Sequence, residues 1–211
     1  MLIHYIWIGN KDIPKNYLVN LETCKQLNPN CEFKIWRDKE CLQLLTEYDL
    51  LEFWASIPTL ISKTSVLRYL VLDKFGGIYS DFDIEWKTPF NEILNNEGTD
   101  TGLLLTFNPY ASMIIDNKNI YLLDDPFIYS EPGILKKCID YCKTRTNLRN
   151  DGDWYLQTGE LRTHDLEPVG AFGLTEWVYY NDIDINFFSQ IGFIDQLNGI
   201  YGFHEQKTNW K

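Results

Sequence analysis

The amino-acid sequence predicts an α/β domain, a sheet layered with helices, on three observations. Residues 1 to 55 alternate strand, helix, strand and helix patterns. A helical run from Ser62 to Phe75 stops at Gly76-Gly77 and passes at once into a short apolar strand. The 211 residues, 45% hydrophobic and 15% aromatic, supply enough apolar surface for one well-packed core. One domain spanning residues 1–211 is expected, either a whole protein or one domain of a longer one.

Leu2 to Ile8 is β-branched and aromatic and closes at Gly9-Asn10, which marks a buried first strand. Leu18 to Leu27 reads as a helix, and Glu32 to Trp36 alternates as a strand. Lys39 to Ala55 places leucines and aromatics at helical spacing. In the helix Ser62 to Phe75, Leu67, Leu70 and Val71 form the apolar side, while Ser65 and Arg68, three apart, share the other face. Gly76-Gly77 supplies the left-handed cap, and Ile78-Tyr79-Ser80 forms a strand that delivers Asp81-Phe82-Asp83 at its carboxyl end, where open α/β sheets place their ligands. Gly102 to Phe107 and Pro126 to Tyr129 read as two further strands separated by a polar stretch. Ser130-Glu131-Pro132 starts a helix whose Ile134, Leu135, Cys138, Ile139 and Cys142 share one face. Asn147 to Pro168 reads as a long loop.

Nineteen basic against 30 acidic residues give a formal net charge of −11, which repels nucleic acid and anionic membrane surfaces. A diphosphate is welcome on such a chain only in company with a divalent cation, which inverts the local electrostatics. No stretch approaches the ~20 apolar residues that cross a bilayer. The N-terminus lacks a basic region followed by an apolar core, and the five cysteines lack the paired spacing of a zinc site. A soluble, cytoplasmic protein in a reducing compartment, with no membrane span, is expected, and Cys138 and Cys142 read as buried thiols.

In extended chain the carboxylates of Asp81 and Asp83 point to the same side, with Phe82 opposite, so one cation can bridge them. Two hard oxygen ligands with open positions suit Mn²⁺ or Mg²⁺. Lys63 to Asp83, reading KTSVLRYLVLDKFGGIYSDFD, resembles the signature of the glycosyltransferases that carry a DXD sugar-binding region, a group that includes mannosyl- and galactosyltransferase relatives and the clostridial glucosylating toxins. The opening Ile3 to Gly9 and the closing His204 to Trp210 are similar to the first and last segments of the same family. The small glycosyltransferases of large algal viruses are a further resemblance.

The resemblance implies a GT-A fold, a Rossmann-like nucleotide-binding mixed sheet flanked by helices. It implies a UDP-sugar donor, UDP-glucose or a relative, whose hexose passes to a hydroxyl of a glycan or glycoprotein acceptor with retention of configuration. Trp7, followed by Ile8, would stack on the nucleotide base, and Arg68 would contact the donor sugar or phosphates. Asp83 would ligate the metal directly, Asp81 would bridge to the ribose or ligate through water, and His204 would add an imidazole ligand. Lys207 and the indole N–H of Trp210 would form a phosphate clamp. The family usually has Asp three residues before the arginine; Ser65 stands there in this chain, which bears on how the sugar hydroxyls are held. Val169 to Thr175 resembles the glycine-bearing stretch beneath the donor, and Asp124-Asp125 could approach the transferred sugar. Among Asp124, Asp125, Glu160, Asp165 and Glu176 no base or nucleophile is singled out.

Three rival classes have sequence tests. A glycoside hydrolase needs two carboxylates flanking the bond at ~5 Å or ~6.5–9.5 Å, a task that two residues of one short triplet fit less well than they fit a cation. A Rossmann dehydrogenase needs Gly-x-Gly-x-x-Gly after the first strand, where only Gly9 stands. A non-catalytic module binding a glycan or nucleotide-sugar accounts for the aromatics but not for the ordered block from Arg68 to Asp83.

Overall fold

The computed structural model describes residues 1–57, 59–145, 154–156, 169–187, 199 and 201–204. Strand β1 (Leu2–Ile6) leads into helix α1 (Lys15–Leu27) and returns as β2 (Glu32–Trp36), which pairs parallel to β1 in register Ile3 to Phe33. Helices α2 (Asp38–Glu47) and α3 (Leu51–Ser56) follow, where the leucine spacing predicts one helix over 39–55. The break falls at Asp49, whose φ of 55° is left-handed and ends a right-handed helix.

Helix α4 (Leu60–Phe75) is the centre of the molecule. Every residue from Thr64 to Asp73 is buried, so the middle of the helix has no solvent face, and the side carrying Ser65 and Arg68 is as enclosed as the leucine side. Gly76 takes the cap at φ 63°, and β3 (Gly77–Ser80) then slides beside β1, so closely that a Cβ on Gly77 would stand 2.2 Å from the Leu2 carbonyl oxygen. Strand β4 (Ile84–Trp86) and helix α5 (Phe90–Glu97) complete the first half.

Next comes a long antiparallel hairpin, β5 (Leu103–Ile115) against β6 (Lys118–Ser130), where the sequence suggests two short strands with polar loop between them. Its turn is Asp116-Asn117, both residues left-handed (φ 50° and 61°), the conformation of a two-residue type I′ turn. The ladder shifts register between Asn108 and Ser112, beside Pro109, which has no N–H to donate. Helix α6 begins at Lys136 rather than near Glu131 (Lys136–Arg145). Gly133 sits at φ 83° in the turn before it, and the Asp73 carboxylate of α4 accepts from the Lys136 N–H at 2.7 Å, capping α6 from a neighbouring helix. Strand β7 (Trp154–Leu156) pairs with β5 inside the stretch that reads as loop; 146–153 and 157–168 lie outside the described residues. Helix α7 (Ala171–Tyr180), β8 (Asn186–Phe187) and β9 (Gly202–His204) finish the fold.

The main sheet runs β2-β1-β3-β6-β5-β7, with β8 parallel on β5; a second, two-stranded sheet pairs β4 with β9. The β2-β1-β3 part is parallel and the rest largely antiparallel. One apolar cluster lies around α4, α6 and α7, and a second under α1 and α5, so helices cover the sheet. All five cysteines are free, and four, including Cys138 and Cys142, are buried. Among the described residues no helix is long and apolar enough to cross a membrane.

Candidate active site

The site is built around one buried cation. Arg68, 4% exposed, projects from the middle of α4. Its Nη2 donates to Asp81 Oδ1 at 3.0 Å, and its Nη1 pairs with Asp125 Oδ1 at 2.6 Å. Two carboxylates that start 44 residues apart in sequence are thereby fixed side by side at the seam of β3 and β6. Ser65, one turn before Arg68, donates from Oγ to Asp125 Oδ2 at 2.7 Å, so both oxygens of Asp125 are bound. The Tyr79 hydroxyl donates to Asp81 Oδ1, and the guanidinium lies 4.9 Å from the Tyr79 ring centroid. Burial alone would lower the Arg68 pKa, but the Asp125 and Asp81 carboxylates outweigh it and push it further up. Burial also raises the Tyr79 pKa well above its ordinary value, so its hydroxyl stays a donor.

The Asp81-Phe82-Asp83 triplet departs from the sequence expectation. Phe82 and Asp83 form a turn between β3 and β4 instead of continuing an extended strand, so the two carboxylates do not follow simple pleat alternation. Asp81, half-buried like Asp83, accepts from Arg68 and Tyr79. The turn is held on three sides: the Asp81 N–H donates to the Pro126 carbonyl at 2.8 Å, the Asn20 side chain of α1 donates to the Phe82 carbonyl at 3.0 Å, and the Phe82 ring is buried against Tyr5.

Trp7, just past β1, meets Phe82 edge-on with centroids 5.8 Å apart, and its indole N–H donates to the Lys11 carbonyl at 2.8 Å. Trp7 and the triplet therefore share one wall, with Ile8 half-buried beside it. His204 ends β9, and its backbone pairs with Ile84, the residue after Asp83. Lys207 and Trp210 lie outside the described residues, as do Glu160 and Asp165. Gly170 caps the N-terminus of α7 at φ 84°, and a Cβ there would stand 3.3 Å from Ser65 Oγ. The glycine-bearing stretch Val169 to Thr175 is thus the start of a helix aimed at the Arg68 cluster. Thr175 accepts from the Leu123 N–H at 2.8 Å, which ties that helix to β6 close to Asp125.

Two residues that sequence reasoning passes over hold the triplet. Tyr79 carries a signal, since it alternates with Asp81 along the strand and so shares its side. Asn20 carries none, for nothing local to α1 marks it. Among the described residues no three His, Cys, Asp or Glu side chains converge as a metal cage. The carboxylates at the triplet fit instead a cation held by one or two oxygens together with ligand phosphates, the usual mode for Mg²⁺ and Mn²⁺.

Residues 14–100 match the family described as a glycosyltransferase sugar-binding region containing a DXD motif. Inositol phosphoceramide mannosyltransferase 3 of Schizosaccharomyces pombe is 31% identical over 96 residues, which are 44% of this chain and 27% of the relative. The initiation-specific alpha-1,6-mannosyltransferase of Candida albicans is 30% identical over 119 residues, 54% of this chain and 27% of its own length. The chain thus spans about a quarter of the length of these relatives. Among solved structures, the PaToxG glycosyltransferase superposes with a TM-score of 0.51 at 18% identity, covering 85% of this chain and 69% of that one. That likeness establishes the fold as GT-A, a mixed sheet flanked by helices. The resemblance read from Lys63 to Asp83 is borne out; both relatives are fungal, and they lend no support to a viral kinship.

Proposed function

We propose that this chain is a metal-dependent glycosyltransferase that moves a hexosyl group from a nucleoside-diphosphate sugar to a hydroxyl of a glycan or glycoprotein acceptor, with retention of configuration. The observation that carries the reading is the Arg68 cluster, in which one buried guanidinium fixes Asp81 and Asp125 at the carboxyl end of β3 and leaves Asp83 half-buried beside them. Asp81 and Asp125 bring two carboxylates to the single guanidinium of Arg68, and with Asp83 two residues after Asp81, this acidic setting favours a divalent cation and, through it, a diphosphate. Asp83 would hold the metal, with Asp81 and His204 as further ligands; the pairing of β9 with the segment after Asp83 supports His204. A bound Mn²⁺ or Mg²⁺ would supply Lewis-acid stabilisation of the charge that develops on the departing nucleotide.

The chain's own residues are assigned as follows. Trp7 and Ile8 receive the base, with Phe82 setting the angle of the Trp7 ring. Arg68 holds Asp81 in place, and its buried Nε, which has no hydrogen-bond partner among the described residues, is the donor assigned to a ligand oxygen. Asp125, held by Ser65 and Arg68, faces the sugar and orients its hydroxyls; Lys207 and Trp210 close on the phosphates. The names of the fungal relatives support mannose as the sugar transferred, and UDP-glucose is the competing donor.

Isothermal titration with GDP-mannose, UDP-glucose and UDP, with and without Mn²⁺, tests this on wild type and Asp83→Ala, followed by turnover assays of the donor that binds. Metal-dependent binding of one donor, lost in Asp83→Ala, and release of its nucleotide are expected. Binding without turnover would reduce the chain to a nucleotide-sugar-binding module. Absence of binding under every condition would overturn the reading.

A further inference from the structure

A second site lies at the far end of α7. The hairpin turn at Asp116 and the last turn of α7 border an open cleft of about 600 Å³, lined by Asp116, Tyr179, Tyr180, Asp182, Ile183 and Asp184 among others. Phe172 and Tyr179 of α7 pack on Met113, Ile115 and Leu122 of the hairpin, so the helix is seated on β5 and β6 and the two walls of the cleft are braced together. The Tyr180 ring is 51% exposed and stands edge-on to Tyr179, with centroids 5.5 Å apart.

The lining offers two kinds of contact. Tyrosine rings present flat apolar faces that suit the C–H face of a sugar ring, and the aspartates present hydrogen-bond acceptors and no donors. A ligand rich in hydroxyl donors with apolar ring faces satisfies both, and the volume lies within the range of small-molecule sites. The location adds an argument. Helix α7 begins at Gly170, against Ser65 of the Arg68 cluster, and its ten residues carry it roughly 15 Å to the cleft.

We propose that this cleft is a remote acceptor subsite, binding a sugar residue of a glycan whose reacting end lies at the Arg68 cluster. The proposal rests on the glycosyl-transfer reading for the reacting end alone; carbohydrate binding at the cleft is measurable without turnover. The probes are linear manno-oligosaccharides, from disaccharide to hexasaccharide, tested on wild type, Tyr180→Ala and Asp182→Asn. Asn suits position 182 because its φ of 50° is left-handed.

Saturation-transfer NMR should detect the longer oligosaccharides on wild type and lose them in Tyr180→Ala. Their binding should not change between low and high salt, since the ligand is neutral. With a working donor, the acceptor KM should fall about ten-fold as the chain lengthens past the disaccharide. Tyr180→Ala and Asp182→Asn should erase that gain and leave donor hydrolysis and the disaccharide rate unchanged. Oligosaccharide signals that survive Tyr180→Ala, or an absence of any length dependence beside normal donor hydrolysis, would overturn the subsite while leaving the transferase intact. Salt-sensitive binding of a lysine-rich peptide in place of the oligosaccharides would overturn it in favour of a cationic ligand. Loss of donor hydrolysis in wild type, with oligosaccharide binding retained, would sink the transferase reading and leave the sugar site standing.

Discussion

Two buried polar centres hold the central helix α4, and they use opposite chemistry. In its middle, Arg68 is charged and held between the two carboxylates of Asp81 and Asp125. Past its C-terminus, His4 of β1 hydrogen-bonds through Nε2 to the carbonyl of Gly76 at 2.8 Å and accepts from the Trp36 indole N–H through Nδ1 at 3.0 Å. That pattern leaves Nε2 as the N–H and the ring neutral, and burial lowers the His4 pKa to about 4. Both ring nitrogens of His4 are paired, whereas Arg68 pairs through Nη1 and Nη2 and its buried Nε has no partner among the described residues. The acids flanking the charged centre in sequence, Asp83 and Asp124, are half-buried. The neutral centre pins a cap and a strand together; the charged centre sets two carboxylates on one guanidinium at the carboxyl end of β3.

The largest effect that separates them is expected from Arg68→Met. Leaving Asp81 and Asp125 buried without their cation should cost about 3–5 kcal/mol of stability in urea denaturation. A loss below about 1 kcal/mol would mean that the carboxylates are hydrated and the cluster does not brace the fold.

Acid acts on the other centre. The unfolded chain takes up a proton on His4 near pH 6.5 and the folded chain only near pH 4. The unfolded state therefore gains as pH falls through that window. The His4 contribution is complete above pH 6.5 and declines by about 3 kcal/mol towards pH 4. Urea midpoints at pH 7 and pH 4.5 should fall further for wild type than for His4→Gln; equal falls would show that His4 is not the sensor.

The smallest effect is expected from Ser65→Ala, which removes one hydrogen bond from Asp125 while Arg68 still holds it. Stability should drop by about 1 kcal/mol, with a larger proportional loss in donor turnover than in metal binding. A variant with wild-type turnover would remove Ser65 from the sugar side of the site.

The fold was legible where local chemistry decides it. Gly76-Gly77 marked the end of α4, the apolar triplet Ile78 to Ser80 marked β3, and the alternation Tyr79, Asp81 lay in plain view. The hairpin was obscured because its turn is Asp-Asn rather than the Asn-Gly or Asp-Gly that most often closes such ribbons, and because Pro109 interrupts the strand pattern. Within the site, Arg68 and the triplet stood out as a motif, but the enclosure of Arg68 did not. The partner that encloses it, Asp125, lies on a strand paired with β3 across 44 residues of sequence, and no periodicity of α4 reports such a contact. The same holds for Asp73, a helix residue that caps a different helix.

The order of strands has a consequence for how the chain is born. Strand β1 finds both its neighbours later in the sequence, β2 after 30 residues and β3 after 75, and β3 in turn waits for β6. A chain synthesised only as far as residue 80 has exposed a parallel half-sheet whose open edge is β3, with the Arg68 guanidinium still lacking Asp125. Parallel pairing across such separations closes slowly, and a bare strand edge invites association with other chains. The step that quenches that edge is the arrival of β6, which delivers the strand partner and the missing carboxylate in one movement. Pairing of β6 with β3 thus covers that edge and completes the carboxylate pair around Arg68 together.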